Sequence, residues 1–70
     1  MNWITTPESS NIAGFGYVME TQVLTVEFNN GGLYNYYDVP ETLFERMKAA
    51  TSKGQFLAQN IKGHFRYARA

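Results

Sequence analysis

Cysteine is absent from the chain, which excludes a disulfide framework, a thiolate metal site and a cysteine nucleophile. Histidine occurs once, at His64. A lone imidazole beside Gly63 at a helix end reads as a solvated or capping residue rather than a general base. No apolar run approaches the ~20 residues of a membrane-spanning helix. The opening MNWITTPESS lacks the basic and apolar stretches of a signal peptide. Together these absences imply a soluble, cytoplasmic protein without a membrane partner. With 70 residues there is room for one domain. A domain this small buries only about 60% of the surface of its unfolded chain and has a stability of about 3–5 kcal/mol.

Aromatic residues, by contrast, are abundant. They make up 16% of the chain, with five tyrosines and five phenylalanines, so rings must build the core, present a binding face, or both. The charges are also ordered. Glu8, Glu20, Glu27, Asp38, Glu41 and Glu45 all precede Arg46, Lys48, Lys53, Lys62, Arg66 and Arg69. A net charge of zero thus conceals an acidic first segment and a basic second one, which points to an anionic partner for the latter.

Residues 1–8 show little periodicity and read as a flexible leader that Trp3 pins to a single domain over 9–70. Ile12–Val18 is β-prone but punctuated by Gly14 and Gly16, as suits a strand that another backbone approaches closely. Met19–Gln22 forms a turn. In Val23–Phe28, Leu24, Val26 and Phe28 share one face and Thr25 and Glu27 the other. Asn29-Asn30-Gly31-Gly32 is the strongest turn signal, because Asn and Gly tolerate positive φ. A third strand runs from Leu33 to Tyr37. Pro40 suits the first turn of a helix, with Glu41 against its positive end, and Leu43, Phe44, Met47 and Ala50 make its apolar stripe. Thr51 or Ser52 caps a second short helix carrying Phe56, Leu57 and Ile61, which Gly63 stops. The tail from His64 to Arg69 alternates basic and aromatic residues, as a short final strand would. The fold class is α+β: a three-stranded antiparallel β-meander followed by two short helices on one face, in the order β-β-β-α-α with room for a last β.

Two registers are open at the Asn-Gly turn. A two-residue turn at Asn30-Gly31 places Tyr34 and Tyr36 on the solvent side with Glu27 and Thr25. A three-residue turn with Gly31 at a bulge sets Tyr34 against Val26 and Tyr36 against Leu24, in the core. One residue of slip exchanges the faces.

Tyr34-Asn35-Tyr36-Tyr37-Asp38-Val39-Pro40 is a Y-x-Y-x-x-V-P run. It follows Leu24–Phe28 and a Gly-containing turn, and precedes Ala50-Thr51-Ser52-Lys53-Gly54-Gln55-Phe56, Ile61 and the aromatic-basic tail. This ordered set, over residues 9–68, resembles the KTSC domain, a module named for the C-terminus of some lysyl-tRNA synthetases and also found as a stand-alone bacterial protein. Tyr34, Tyr36, Pro40 and Gly54 are its structural positions here; Ala58 stands where the pattern has Asn. The resemblance implies no assigned activity, and it suggests RNA binding only through attachment to a tRNA-handling enzyme.

No catalytic, cofactor or metal site is expected. Gly14-Phe15-Gly16 lacks the third Gly, the Lys and the helix of a nucleotide loop. Glu41 and Glu45 share a helical face but have no third ligand, and no Ser stands in a nucleophile elbow. Ser52-Lys53-Gly54 at a helix start reads first as a cap, and second as an anion site. The leading expectation is a non-catalytic nucleic-acid-binding module, RNA being the favoured partner, with Lys53, Lys62, Arg66 and Arg69 as a cationic strip and Tyr37 and Tyr67 as exposed rings. The alternative is an adaptor docking by charge complementarity on a larger protein complex.

Overall fold

A computed structural model describes residues 2–70. Five strands pair antiparallel in chain order: β1 (Asn2–Thr5), β2 (Ile12–Val18), β3 (Val23–Phe28), β4 (Leu33–Tyr36) and β5 (Tyr67–Arg69). Helix α1 spans Glu41–Ala49, and α2, Lys53–Phe56, continues without interruption into a π-helical turn, Leu57–Ile61. The α+β meander with helices on one face is therefore present, together with the final strand.

The stretch expected as a leader is a correction: Asn2–Thr5 is an edge strand in register with Tyr17 to Gly14. Its physical basis is a missing side chain. A β-carbon on Gly14 would lie 2.8 Å from Trp3 Nε1 and 2.9 Å from the Ile4 carbonyl oxygen, so only glycine lets β1 and its indole lie this close. The strand is anchored at its far end by Thr6, whose buried hydroxyl donates to the Ile12 carbonyl at 2.7 Å while its N–H donates to Ala13 O at 3.0 Å. Ser9 Oγ then accepts from the N–H groups of Asn11 and Ile12 and closes the loop.

The β3–β4 turn adopts the three-residue form. Gly31 has φ +93°, its N–H donates to Phe28 O at 2.9 Å, and Phe28 N–H donates to Gly32 O at 2.8 Å. Val26 consequently faces Tyr34 and Leu24 faces Tyr36, which selects the register that turns both tyrosines toward the helices.

Pro40 occupies the N-cap of α1, one residue ahead of the first turn where the sequence placed it; Glu41 is the acidic residue of that turn. Ser52 caps α2 as expected, its Oγ accepting from Gln55 N–H at 3.3 Å. Gly54 is buried against Ser9 and Asn11. The wide turn that follows brings Leu57 and Ile61 both into the core, and the chain leaves it at Gly63 with φ +82°. The core fills the space between sheet and helices with Ile12, Phe15, Leu24, Val26, Val39, Phe44, Met47, Leu57 and Ile61. Tyr17 stacks on Phe44 at 4.8 Å between ring centres and donates its hydroxyl to the Val39 carbonyl. Among the described residues no helix is long and apolar enough to cross a membrane, and no group of three or more His, Cys, Asp or Glu could hold a metal.

Candidate nucleic-acid interface

Coverage of the sheet stops where the helical segment stops. Phe28 lies on the face of Leu24 and Val26 by strand alternation, and the register adds Tyr34 and Tyr36 from β4 and Tyr67 from β5. Lys62 and Gly63 border this end, and a cavity of about 570 Å³ opens among Phe28, Tyr34, Tyr36, Tyr67, Lys62, Asn30 and Asn11. Its rings are contiguous: Phe28 meets Tyr34 edge-on at 5.5 Å, Tyr34 lies 5.9 Å from Tyr67, and Tyr67 lies 5.7 Å from Tyr36. Tyr36 is 3% exposed and forms the floor, while Tyr67 is 59% exposed and stands at the rim. The Lys62 ammonium stands 5.7 Å over the Phe28 ring. Burial first, then the neighbouring Tyr67 and Tyr34, raise the pKa of the Tyr36 hydroxyl, so it remains a neutral hydrogen-bonding group at physiological pH.

The residues named from sequence fall into three places. Lys62, Tyr67, Tyr34 and Tyr36 come together in the cleft, and Arg69, paired with Tyr34 across β4 and β5, lies on the same face. Arg66 and Tyr37 form a separate unit: the Tyr37 N–H donates to Arg66 O, the guanidinium lies 5.3 Å over the Tyr37 ring, and Arg66 pairs with Asp38 at 3.5 Å. Lys53 is turned back on α1, donating to the Ala50 carbonyl at 3.0 Å. The cations thus have three different sets of neighbours, because strand alternation sends Arg66 and Arg69 to opposite faces. Pro40 and Gly54 lie outside the cleft, as cap and packing residue.

Phe28, Asn30, Asn11 and Gly63 line the cleft without having been named as site residues. The alternation of β3 puts Phe28 on the face of Leu24 and Val26, and its place at the strand end beside the turn puts it at the rim. Asn30 was read only as a turn former. Its Oδ1 accepts from Gly32 N–H at 2.9 Å, which leaves the amide NH₂ as the end available to a ligand.

Electrostatics separate this cleft from the other cavities. One of about 640 Å³ at the start of α2 combines Glu8 with Lys53 and has no aromatic residue in its lining. Another of about 200 Å³ gathers Glu20, Glu41 and Glu45 around Lys48. The aromatic cleft has no carboxylate among its lining residues. The basic residues of α1 are occupied locally: Lys48 pairs with Glu45 at 3.0 Å and overlies Phe44, and Arg46 overlies Phe56. Exposed pairs of this kind contribute about 0–1 kcal/mol.

The KTSC domain profile matches residues 8–65 of the chain. The chain belongs to the KTSC domain family. Its fold is similar to the crystal structure of a KTSC domain protein from Yersinia pestis, with a TM-score of 0.88 and 33% identity over 99% of each chain. In sequence it is 46% identical over 61 residues to a lysine–tRNA ligase of Nostoc sp. PCC 7120, and these residues are 87% of this chain but 11% of the ligase. It is 41% identical over 59 residues to a protein of Tsukamurella paurometabola, covering 84% of this chain and 88% of that one. A KTSC domain therefore occurs both within much larger proteins and as most of a small one.

Proposed function

We propose that this KTSC domain is a non-catalytic nucleic-acid-binding module whose ligand is RNA. The observation that carries the reading is the cleft itself: four contiguous rings and a lysine, with no carboxylate in its lining. Bases stack on exposed rings at about 1–3 kcal/mol each, and a lysine supplies the phosphate contact. The match to a segment of proteins named lysine–tRNA ligase favours RNA over DNA. Acid–base catalysis requires convergent titratable groups, and the cleft offers one lysine among tyrosines.

The test is fluorescence anisotropy of the purified protein with single-stranded RNA, structured RNA and duplex DNA at two salt concentrations. RNA should bind, more weakly at higher salt, and Lys62→Glu should abolish binding with the fold retained. Arg66→Glu should have a smaller effect, since Arg66 is already stacked on Tyr37 and paired with Asp38. Full binding by Lys62→Glu rejects the cleft as the interface. A second reading, an adaptor on a larger protein complex, draws on the exposed Trp3 and Leu33 side chains; it expects no salt-dependent RNA affinity and retention of a specific protein on the immobilised domain.

A further inference from the structure

We infer that the cleft takes one unpaired nucleotide of a single strand, its base against Tyr67 and Tyr34 and its phosphate at Lys62. The inference rests on the nucleic-acid reading above and sharpens it. A cavity of about 570 Å³ is of single-ligand size, and its rings run from the buried Tyr36 at the floor to the exposed Tyr67 on the edge strand β5. Bases in a duplex already cover one another's faces, so stacking on these rings costs unpairing and unstacking. An unpaired nucleotide enters without that cost. Tyr67, more than half exposed, offers its ring, and Tyr36 closes the bottom. The Asn30 amide, fixed by Gly32 N–H, presents its NH₂ donors. Every base carries at least one acceptor atom, so the slot is tolerant of sequence.

The geometry also limits the ionic contribution. Lys62 and Arg69 are the basic residues on the cleft's face, whereas Lys53 and Arg66 are engaged elsewhere. Two phosphate contacts to a single strand give a log–log salt slope of about −1.4, against about −3 if all four cations took part.

The deciding experiment measures binding of a labelled RNA oligonucleotide of mixed sequence, free and annealed to its complement, to the wild-type chain, Tyr67→Ala and Tyr67→Trp. The free strand should bind at least about tenfold tighter than the duplex. Tyr67→Ala should lose about tenfold, the contribution of one stacked base, and Tyr67→Trp should keep wild-type affinity, with circular dichroism showing all three folded. Equal affinity for free and annealed RNA, or undiminished binding by Tyr67→Ala, overturns the single-nucleotide slot while leaving an RNA-binding module in place. No binding of either form at low salt overturns both.

Discussion

Two aromatic clusters share one face of the sheet. Phe15 and Tyr17 lie under α1 and meet its Phe44, Tyr17 stacked on that ring and Phe15 edge-on to it at 5.9 Å. Phe28, Tyr34, Tyr36 and Tyr67 lie at the other side, where the helical segment has ended at Ile61. The rings are of the same kind and make similar contacts, yet all three of the first set are at most 5% exposed, while the second grades from a buried floor to an open rim. Coverage, and not composition, separates a core from a cleft here. The helices bury the inner face of β2 and β3 together with Tyr36 of β4, and leave Tyr34 and Tyr67 partly open.

Removing one ring from each cluster gives the largest contrast. Phe44→Ala should cost about 3–5 kcal/mol, the range for a buried phenylalanine. That is comparable to the whole stability of a domain this size, so urea denaturation should find it largely unfolded. Tyr67→Ala should cost about 1 kcal/mol or less and act on binding instead. A Tyr67→Ala variant as unstable as Phe44→Ala would make the second cluster a core like the first.

A smaller effect is expected at the turn that sets the second cluster's register. Gly31→Ala places a side chain at φ +93°, and left-handed backbone costs about 1–2 kcal/mol for a residue with a β-carbon. A lower urea midpoint with unchanged core tyrosine signals in NMR would show the register surviving the strain. An unchanged midpoint would rule out the Gly31 bulge as its determinant.

The mildest probe is alkaline pH. Burial, then Tyr67 and Tyr34, raise the Tyr36 hydroxyl above its ordinary value of 10.0, and burial, then Glu41, do the same at Tyr17. The folded state thus favours the protonated phenols. Their contribution is complete below pH 10.0 and is lost as the pH rises through the higher folded values. Unfolding monitored from pH 9 to pH 11 or so should show stability falling, and Tyr36→Phe should flatten part of that fall. An identical slope in Tyr36→Phe would assign it to the first cluster.

Much of the fold was legible because local rules agreed with one another. The alternation of Leu24, Val26 and Phe28, the Asn-Gly turn, the α1 stripe of Phe44 and Met47, the Ser52 cap and the Gly63 stop were all readable one element at a time. Strand β1 was not, since its pairing depends on what Gly14 lacks nine or more residues away in the chain, and the four residues Asn2–Thr5 carry too short a pattern to declare a strand. Of the cleft's lining residues, only Tyr67 belongs to the basic-aromatic tail. The cleft was hidden because Lys62, Phe28 and Tyr67 meet only when three separate elements converge, and because charge order along a chain does not state which face each charge will take.

Residue order by itself determined β2 to β4, the two helices and room for a last strand, a chain rich in rings, and cations gathered in the second half. Tertiary structure decided the rest: the turn's third residue set the face of Tyr34 and Tyr36, strand parity parted Arg66 from Arg69, and the early end of the helical segment left one ring cluster open. The reason is that propensity and charge are properties of neighbours in the chain, whereas exposure and juxtaposition depend on which distant segment comes to lie on top.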